Sequence, residues 1–161
     1  MALIIKNDDF WTDIDQDDFL TTFPVPSNYR PAQVTQQLAA AMVKANYDLT
    51  PIKTALLAAN YLDFDSYVSS NESAYVDEKD TRVFMYITAV YSMAKIKILN
   101  LSPAIGRSID AKTVAEPDAK MASDLLENYK FAIAYIFNRL NLAQNPTISA
   151  ENNSAITCAL I

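Results

Sequence analysis

The residues best able to do chemistry are carboxylates, and they are concentrated in one short stretch. Residues 8–19 read DDFWTDIDQDDF and contain six aspartates and three aromatic residues. Such a stretch could bind a metal ion, supply a catalytic carboxylate pair, or form an arm that docks onto another surface. Each alternative makes its own demand on spacing and burial.

Three of these aspartates have the spacing that opens an EF-hand calcium loop. Asp13, Asp15 and Asp17 occupy the first three ligand positions of such a loop. The position of the sharp turn requires a glycine and is Asp18, and the position of the bidentate glutamate is Pro24. We therefore predict no metal site, but a solvated acidic arm that its aromatic side chains anchor.

A catalytic carboxylate pair needs one group whose pKa is raised by burial beside a neighbour that stays ionised. Because we expect Asp13, Asp15, Asp17 and Asp18 to be exposed, we expect their pKa values to be ordinary. The chain has no histidine, which removes most zinc sites and the Ser-His-Asp and Cys-His nucleophile arrangements. The sequence predicts no enzyme and no cofactor, and an acidic metal-dependent enzyme is the less favoured alternative.

The composition indicates one folded domain that does not grip nucleic acid. Apolar residues make up 51% of the 161 residues and charged residues 20%, which is ordinary for a globular protein. The net charge of -6 argues against phosphate-backbone binding, which depends on clustered Lys and Arg. No apolar run is long enough to span a bilayer, and the single Cys158 excludes an internal disulfide. We expect synthesis in a reducing cytoplasm and no membrane contact.

Helical periodicity dominates the middle of the chain, and the presence of only one glycine disfavours tight hairpins. An apolar stripe begins at Pro31 and runs to Leu49, which predicts a first helix. Thr50, followed by a proline, indicates either a second helix or a kink in the first. Residues 63–77 are polar and rich in serine, which predicts a connector.

Two further helices follow the connector. Residues 81–101 are apolar on most sides, which predicts a central, buried helix. Glu78 and Arg82 are four residues apart in the order that supports the start of this helix. The last helix is predicted to begin at Pro117 and to extend to Leu140.

These elements predict a mostly α fold. A bundle of about four helices covers residues 27–141, with an extended arm over residues 1–26 and an extended tail over residues 142–161. The apolar end of the tail either packs on the same molecule or adds to a partner as a strand. Tyrosines of the third and fourth helices together suggest a surface shared with other copies of the chain, although the ordinary role of any single one is core packing. The residues predicted to contact partners are Phe10, Trp11, Asp13, Asp15, Tyr86, Tyr91, Ile156, Leu160 and Ile161.

Several short motifs follow one another in an order that carries a family resemblance. They are FWTDID at residues 10–15, MVKANYDL at residues 42–49, AVYSMA at residues 89–94 and ITCALI at the end of the chain. In order and spacing, residues 10–161 resemble the head completion (gpL-type) proteins of temperate contractile-tailed bacteriophages. The alternative is a small helical interaction module that is not part of a virion.

The resemblance implies a structural virion protein at the head-tail junction, assembled in the host cytoplasm. Such a protein is expected to join the portal protein after DNA packaging and to stabilise the filled head. Copies are expected to form a ring, a dodecamer to match the portal, on which a tail-terminator or neck protein docks. DNA is expected to pass through the lumen of this ring without specific binding.

Overall fold

The computed structural model describes residues 3–25, 29–71, 74–76, 78–105 and 111–144. Within these residues the protein is mostly helical, as the sequence predicts. The elements, in chain order, are β1 (Ile4–Ile5), β2 (Ile14–Asp15), α1 (Gln16–Thr22), α2 (Pro31–Asp48), α3 (Thr50–Ala58), α4 (Phe64–Ser70), β3 (Tyr75–Val76), β4 (Lys79–Asp80), α5 (Thr81–Ile105) and α6 (Ala111–Gln144).

The first predicted helix corresponds to α2, and a separate helix, α3, begins directly after Leu49. The N–H of Leu49 donates to the Ala45 carbonyl, and the Leu49 carbonyl accepts the Lys53 N–H. Leu49 itself lies outside helical geometry, with φ -92° and ψ 8°. The second-helix alternative is therefore correct, and the hydrogen-bond ladder continues across the junction between α2 and α3.

Helix α5 forms the centre of the bundle, with α2 and α6 packed against it. Its buried residues lie on several sides of the helix and include Ala89, Val90, Ala94 and Ile98. This agrees with the prediction from its nearly continuous apolar surface. Helix α6 begins at Ala111 rather than at Pro117, because the residues before this proline include good helix formers.

The segment predicted as a connector contains a helix and a hairpin. The Asp63 side chain accepts the Ser66 N–H at 2.6 Å, which caps the start of α4. Phe64 and Tyr67 are buried, so this short helix contributes to the core. Strands β3 and β4 then pair antiparallel, with Glu78 in the turn at φ 60°. Glu78 takes the left-handed conformation that a glycine would otherwise supply.

The N-terminal segment, which the sequence predicts to be an extended arm, contains two short strands and helix α1. Strands β1 and β2 pair antiparallel, and Gln16, the first residue of α1, is buried.

Among the described residues, no helix has the length and apolar character needed to cross a membrane.

Candidate interaction surfaces

Two aromatic residues predicted to contact a partner instead fix the N-terminal segment to the bundle. Phe10 and Trp11 are 4% and 3% exposed. The indole of Trp11 stacks on the Tyr86 ring at 5.2 Å and lies 4.8 Å from the Phe64 ring. Burial of this much aromatic surface on the same molecule explains the placement, so Phe10 and Trp11 are anchors and offer almost no surface to a partner.

A closed set of hydrogen bonds joins the same segment to α2 and α5. Asn7 Nδ2 donates to the Tyr86 hydroxyl at 2.6 Å, and that hydroxyl donates to Asn46 Oδ1 at 2.7 Å. Asn46 Nδ2 returns a bond to Asn7 Oδ1 at 2.8 Å. Burial holds the pKa of Tyr86 well above its ordinary value. Tyr86 is therefore an internal link of the monomer, and the prediction that it faces other copies is wrong.

Tyr91 has a comparable internal role five residues further along α5. Its ring packs edge-on against Phe19 at 5.3 Å. Its hydroxyl lies 2.8 Å from the Asp15 carbonyl and 3.0 Å from Asp18 Oδ2, so one proton serves two acceptors. Burial first, and then the carboxylate of Asp18, hold the pKa of Tyr91 above its ordinary value. Tyr91 is 5% exposed, which also contradicts its placement at a surface between copies.

The aspartates of this segment bond to nearby backbone groups and lysines. The Asp8 side chain accepts the N–H groups of Phe10 and Trp11 and lies 2.7 Å from Lys53 Nζ. Burial would raise the pKa of Asp8, but the bonds from Lys53 and Trp11 outweigh it and lower the pKa. Lys6, at 2.6 Å, lowers the pKa of Asp13 in the same way. The expectation of an ordinary pKa is therefore wrong for Asp13.

The EF-hand-like spacing has a structural explanation. Asp15 is the N-cap of α1 and accepts the N–H groups of Asp17 at 2.8 Å and Asp18 at 3.3 Å. A cap followed by acidic residues in the first helical turn stabilises a helix start, because the carboxylates face the unpaired N–H groups. In the part of the chain that the structure describes, no three Asp, Glu or Cys side chains are grouped as they would be around a metal ion.

A buried ion pair fixes the start of α5. Arg82 Nη2 lies 2.8 Å from Asp80 Oδ2, and these side chains are 3% and 4% exposed. The same guanidinium donates to the carbonyls of Val68 and Asn71, which tie α4 to α5. The sequence predicted Glu78 as the partner of Arg82. Asp80 takes this place because Glu78 lies in the hairpin turn.

A cavity of about 270 Å³ lies between α1, β4, α5 and α6. Tyr91 and Asp18 face it while already hydrogen-bonded to each other. A neutral phenol whose proton is engaged is a poor acid or base near neutral pH, so this pair does not suggest a reaction site. The remaining lining residues mix apolar side chains such as Phe23 with polar ones, which include the hydroxyl of Thr88 and the ammonium of Lys79.

Large exposed apolar side chains mark the surfaces available for contact. On α2, α3 and the turn that follows, they are Val43 (69%), Tyr47 (76%), Leu57 (47%) and Leu62 (84%). On α6, Phe131 is 62% exposed and its ring lies 6.3 Å from that of Tyr135. Sequence reasoning missed them because it searched for buried stripes. Of the predicted partner contacts, Asp13 and Asp15 are partly exposed, and Ile156, Leu160 and Ile161 lie outside the described residues.

Fold and surfaces together define a small helical protein whose acidic groups serve its own folding and whose exposed apolar side chains suit contact with other proteins. Residues 5–143 match the model of the family described as Phage head completion protein (GPL). The match covers most of the chain, and the protein belongs to this family, as its sequence motifs suggest. No curated protein and no solved structure matches the chain.

Proposed function

We propose that this phage head completion protein is a head-tail connector adaptor. It binds the portal protein after DNA packaging, stabilises the filled head and presents the surface on which a tail-terminator or neck protein docks. The family match over residues 5–143 is the observation that carries the proposal, because it spans every described element except the first residue of β1 and the last residue of α6. In this role the chain is a virion component and acts by binding, without catalysis.

Contact between copies is the second part of the proposal. A closed ring requires each copy to contact two neighbours through two different faces. Exposed apolar residues on both α2 and α6, such as Tyr47 and Phe131, support such an arrangement, since aromatic residues are enriched in protein interfaces. We propose a dodecamer, which would match the symmetry of the portal.

The portal-binding experiment tests the proposal directly. Purified chain is mixed with its portal, separated by sedimentation and imaged by electron microscopy. The expected result is co-sedimentation and a ring of added density on the outer end of the portal. Failure to bind the portal would instead favour a helical interaction module outside the virion. A thermal-shift scan with divalent ions addresses the metal-enzyme alternative, because specific binding would raise the Tm.

The tail carries the portal contact in this proposal. Deleting residues 155–161, which include Ile156, Leu160 and Ile161, is expected to abolish portal binding while the helical circular dichroism signal stays unchanged. The matched control keeps the length and apolar end of the tail and changes its polar part, Asn152→Ala with Asn153→Ala. Equal binding by the truncated chain would refute the role of the tail.

The negative charge of the chain suits a channel through which DNA moves. With a net charge of -6, a lumen lined by this protein would repel the phosphate backbone and keep DNA from adhering. Asp9 and Asp65 are exposed and available for charge reversal. If they face the lumen, Asp9→Lys with Asp65→Lys is expected to slow DNA ejection, and an unchanged rate would place them elsewhere.

A further inference from the structure

The outer surface of α2 and α3 has far fewer charges than the rest of the molecule. Residues 31–62 contain three of the 32 charged residues of the chain, namely Lys44, Asp48 and Lys53. All three are paired within the molecule, Lys44 with Asp48 at 2.5 Å and Lys53 with Asp8 at 2.7 Å. A long solvent-facing surface without free charge is unusual for a protein that is 20% charged.

The same surface has the periodicity of a helix that packs against another helix. Six residues recur at steps of three and four along the side opposite the core, and we call them the neutral seam: Ala40, Val43, Tyr47, Thr50, Thr54 and Leu57. All but Ala40 are exposed. Alternating steps of three and four keep side chains on one helix face, which is the pattern of helix-helix contacts. Leu49 bonds to both helices, through its N–H to Ala45 and through its carbonyl to Lys53, so the seam passes from α2 to α3 without an intervening loop.

The acidic residues lie elsewhere, and two acidic segments are held side by side. The Phe64 N–H donates to the Phe10 carbonyl at 2.9 Å, which brings residues 63–65 next to the N-terminal aspartates. Thr12 Oγ1 lies 3.4 Å from Asp65 Oδ1 at the same place. This junction concentrates negative charge on residues that are not part of the neutral seam. Two copies therefore repel each other through this acidic region, but not through the neutral seam.

Helix α6 offers a second face with nearly balanced charge. Its described side chains include Lys120, Lys130 and Arg139 against Asp124 and Glu127. Phe131 is the most exposed apolar residue of this part of α6, at 62%. Its neighbour Tyr135 is held in place by Arg139, whose Nε donates to the Tyr135 hydroxyl at 3.2 Å. An aromatic centre surrounded by polar groups is the usual composition of an interface.

From these observations we propose that the neutral seam of one copy packs against the Phe131 face of α6 of the next copy. The occupant is a second copy of this chain, because an acidic chain can associate with itself only where its charge is absent or balanced. A basic partner would be recognised by the acidic junction instead. The inference rests on the proposed ring, and it assigns the two different faces that a head-to-tail ring requires.

Charge insertion tests both faces. Tyr47→Glu and Phe131→Glu place an unpaired carboxylate at the centre of the contact, and each is expected to weaken association between copies at least about tenfold. Tyr75→Glu is the matched control, because Tyr75 is a tyrosine of β3 with 68% exposure outside both faces. Circular dichroism first establishes that each variant is folded. Association is measured by sedimentation of the free chain at high concentration and by counting copies on the portal.

Site-directed crosslinking identifies which faces meet. With Cys158→Ser as the background, Tyr47→Cys and Phe131→Cys are oxidised separately and as an equimolar mixture. A disulfide-linked pair is expected in the mixture and not in either variant alone. A Tyr47→Cys homodimer would overturn the proposal, since the seam would then pair with itself. Absence of crosslinks, with the Glu variants associating like Tyr75→Glu, would also overturn it.

The test of the two contact faces can fail while the proposed connector function holds, and the reverse is also true. Portal binding by the unaltered chain is measured first, and its failure rejects the connector role. Crosslinking of the free chain then still decides whether the two faces meet. If Tyr47→Glu abolishes portal binding but leaves association between copies unchanged, the seam belongs to the portal and the inference is wrong.

Discussion

Replacing Trp11 with phenylalanine is expected to destabilise the protein far less than replacing it with alanine. Trp11 is 3% exposed and is surrounded by Phe10, Phe64 and Tyr86, with ring centroids 4.8–5.2 Å apart. Truncation of such a residue to alanine costs about 3–5 kcal/mol in the free energy of unfolding, because the cluster cannot collapse fully into the cavity.

The unpaired indole N–H of Trp11 is the reason to expect only a small change in the free energy of unfolding for Trp11→Phe. Trp11 Nε1 is buried and has no hydrogen-bond acceptor within the described residues. A buried donor without a partner costs about 1–3 kcal/mol, and Trp11→Phe removes this cost together with part of the ring volume. Since lost packing and relieved desolvation oppose each other, we expect Trp11→Phe to lie within about 1 kcal/mol of the unaltered protein.

Urea unfolding followed by far-UV circular dichroism measures the difference. Fluorescence cannot serve, because Trp11 is the only tryptophan of the chain. Phe64→Ala is the matched control, since Phe64 is fully buried in the same cluster and carries no polar atom. We expect it to cost about as much as Trp11→Ala. If Trp11→Phe were as destabilising as Trp11→Ala, the argument from the unpaired N–H would be refuted.

Three further predictions concern titration and the buried ion pair. The pKa values of Asp8 and Asp13 are lowered in the fold, so their stabilisation is present above about pH 4 and lost as the pH falls through the folded values. The Asp8→Asn variant is expected to lose less stability on acidification than the unaltered protein, as measured by the urea unfolding midpoint. The pKa of Tyr91 is raised, so stability is unaffected below about pH 10 and declines above it, and less steeply in Tyr91→Phe. Arg82→Ala removes the guanidinium that balances the buried charge of Asp80 and is expected to cost about 3–5 kcal/mol, whereas Arg82→Lys, which keeps the charge, is expected to cost less in the same assay.

The long helices could be predicted from the sequence because their apolar residues recur over many turns. Helix α5 is apolar nearly all round, and its central position follows from that fact alone. Helix α4 could not be predicted in this way, since seven residues give fewer than two complete turns of pattern. Its signal was the cap, in which Asp63 and Ser66 bond to each other's backbone N–H groups.

The candidate surfaces were harder to predict than the helices. Tyr86 and Tyr91 could be assigned to helix α5, but periodicity does not say which side of a helix that is apolar all round meets its own chain. Trp11 was predicted to contact a partner, because the surface that it covers in its own chain, formed by Tyr86 and Phe64, depends on contacts distant in sequence. The neutral seam did leave a signal, because residues 31–43 contain no charged residue.

The scarcity of glycine bears on one of the N-terminal aspartates, Asp9, which takes a left-handed φ of 60°. The chain has one glycine, and the described residues with left-handed φ are Asp9, Asn60 and Glu78. Short polar side chains tolerate that conformation because they can bond to nearby backbone. Asp8 and Asp15 satisfy backbone N–H groups at a turn and a helix start in the same way. Asp8, Asp9 and Asp15 therefore serve the local folding of this segment, at turns and at a helix start.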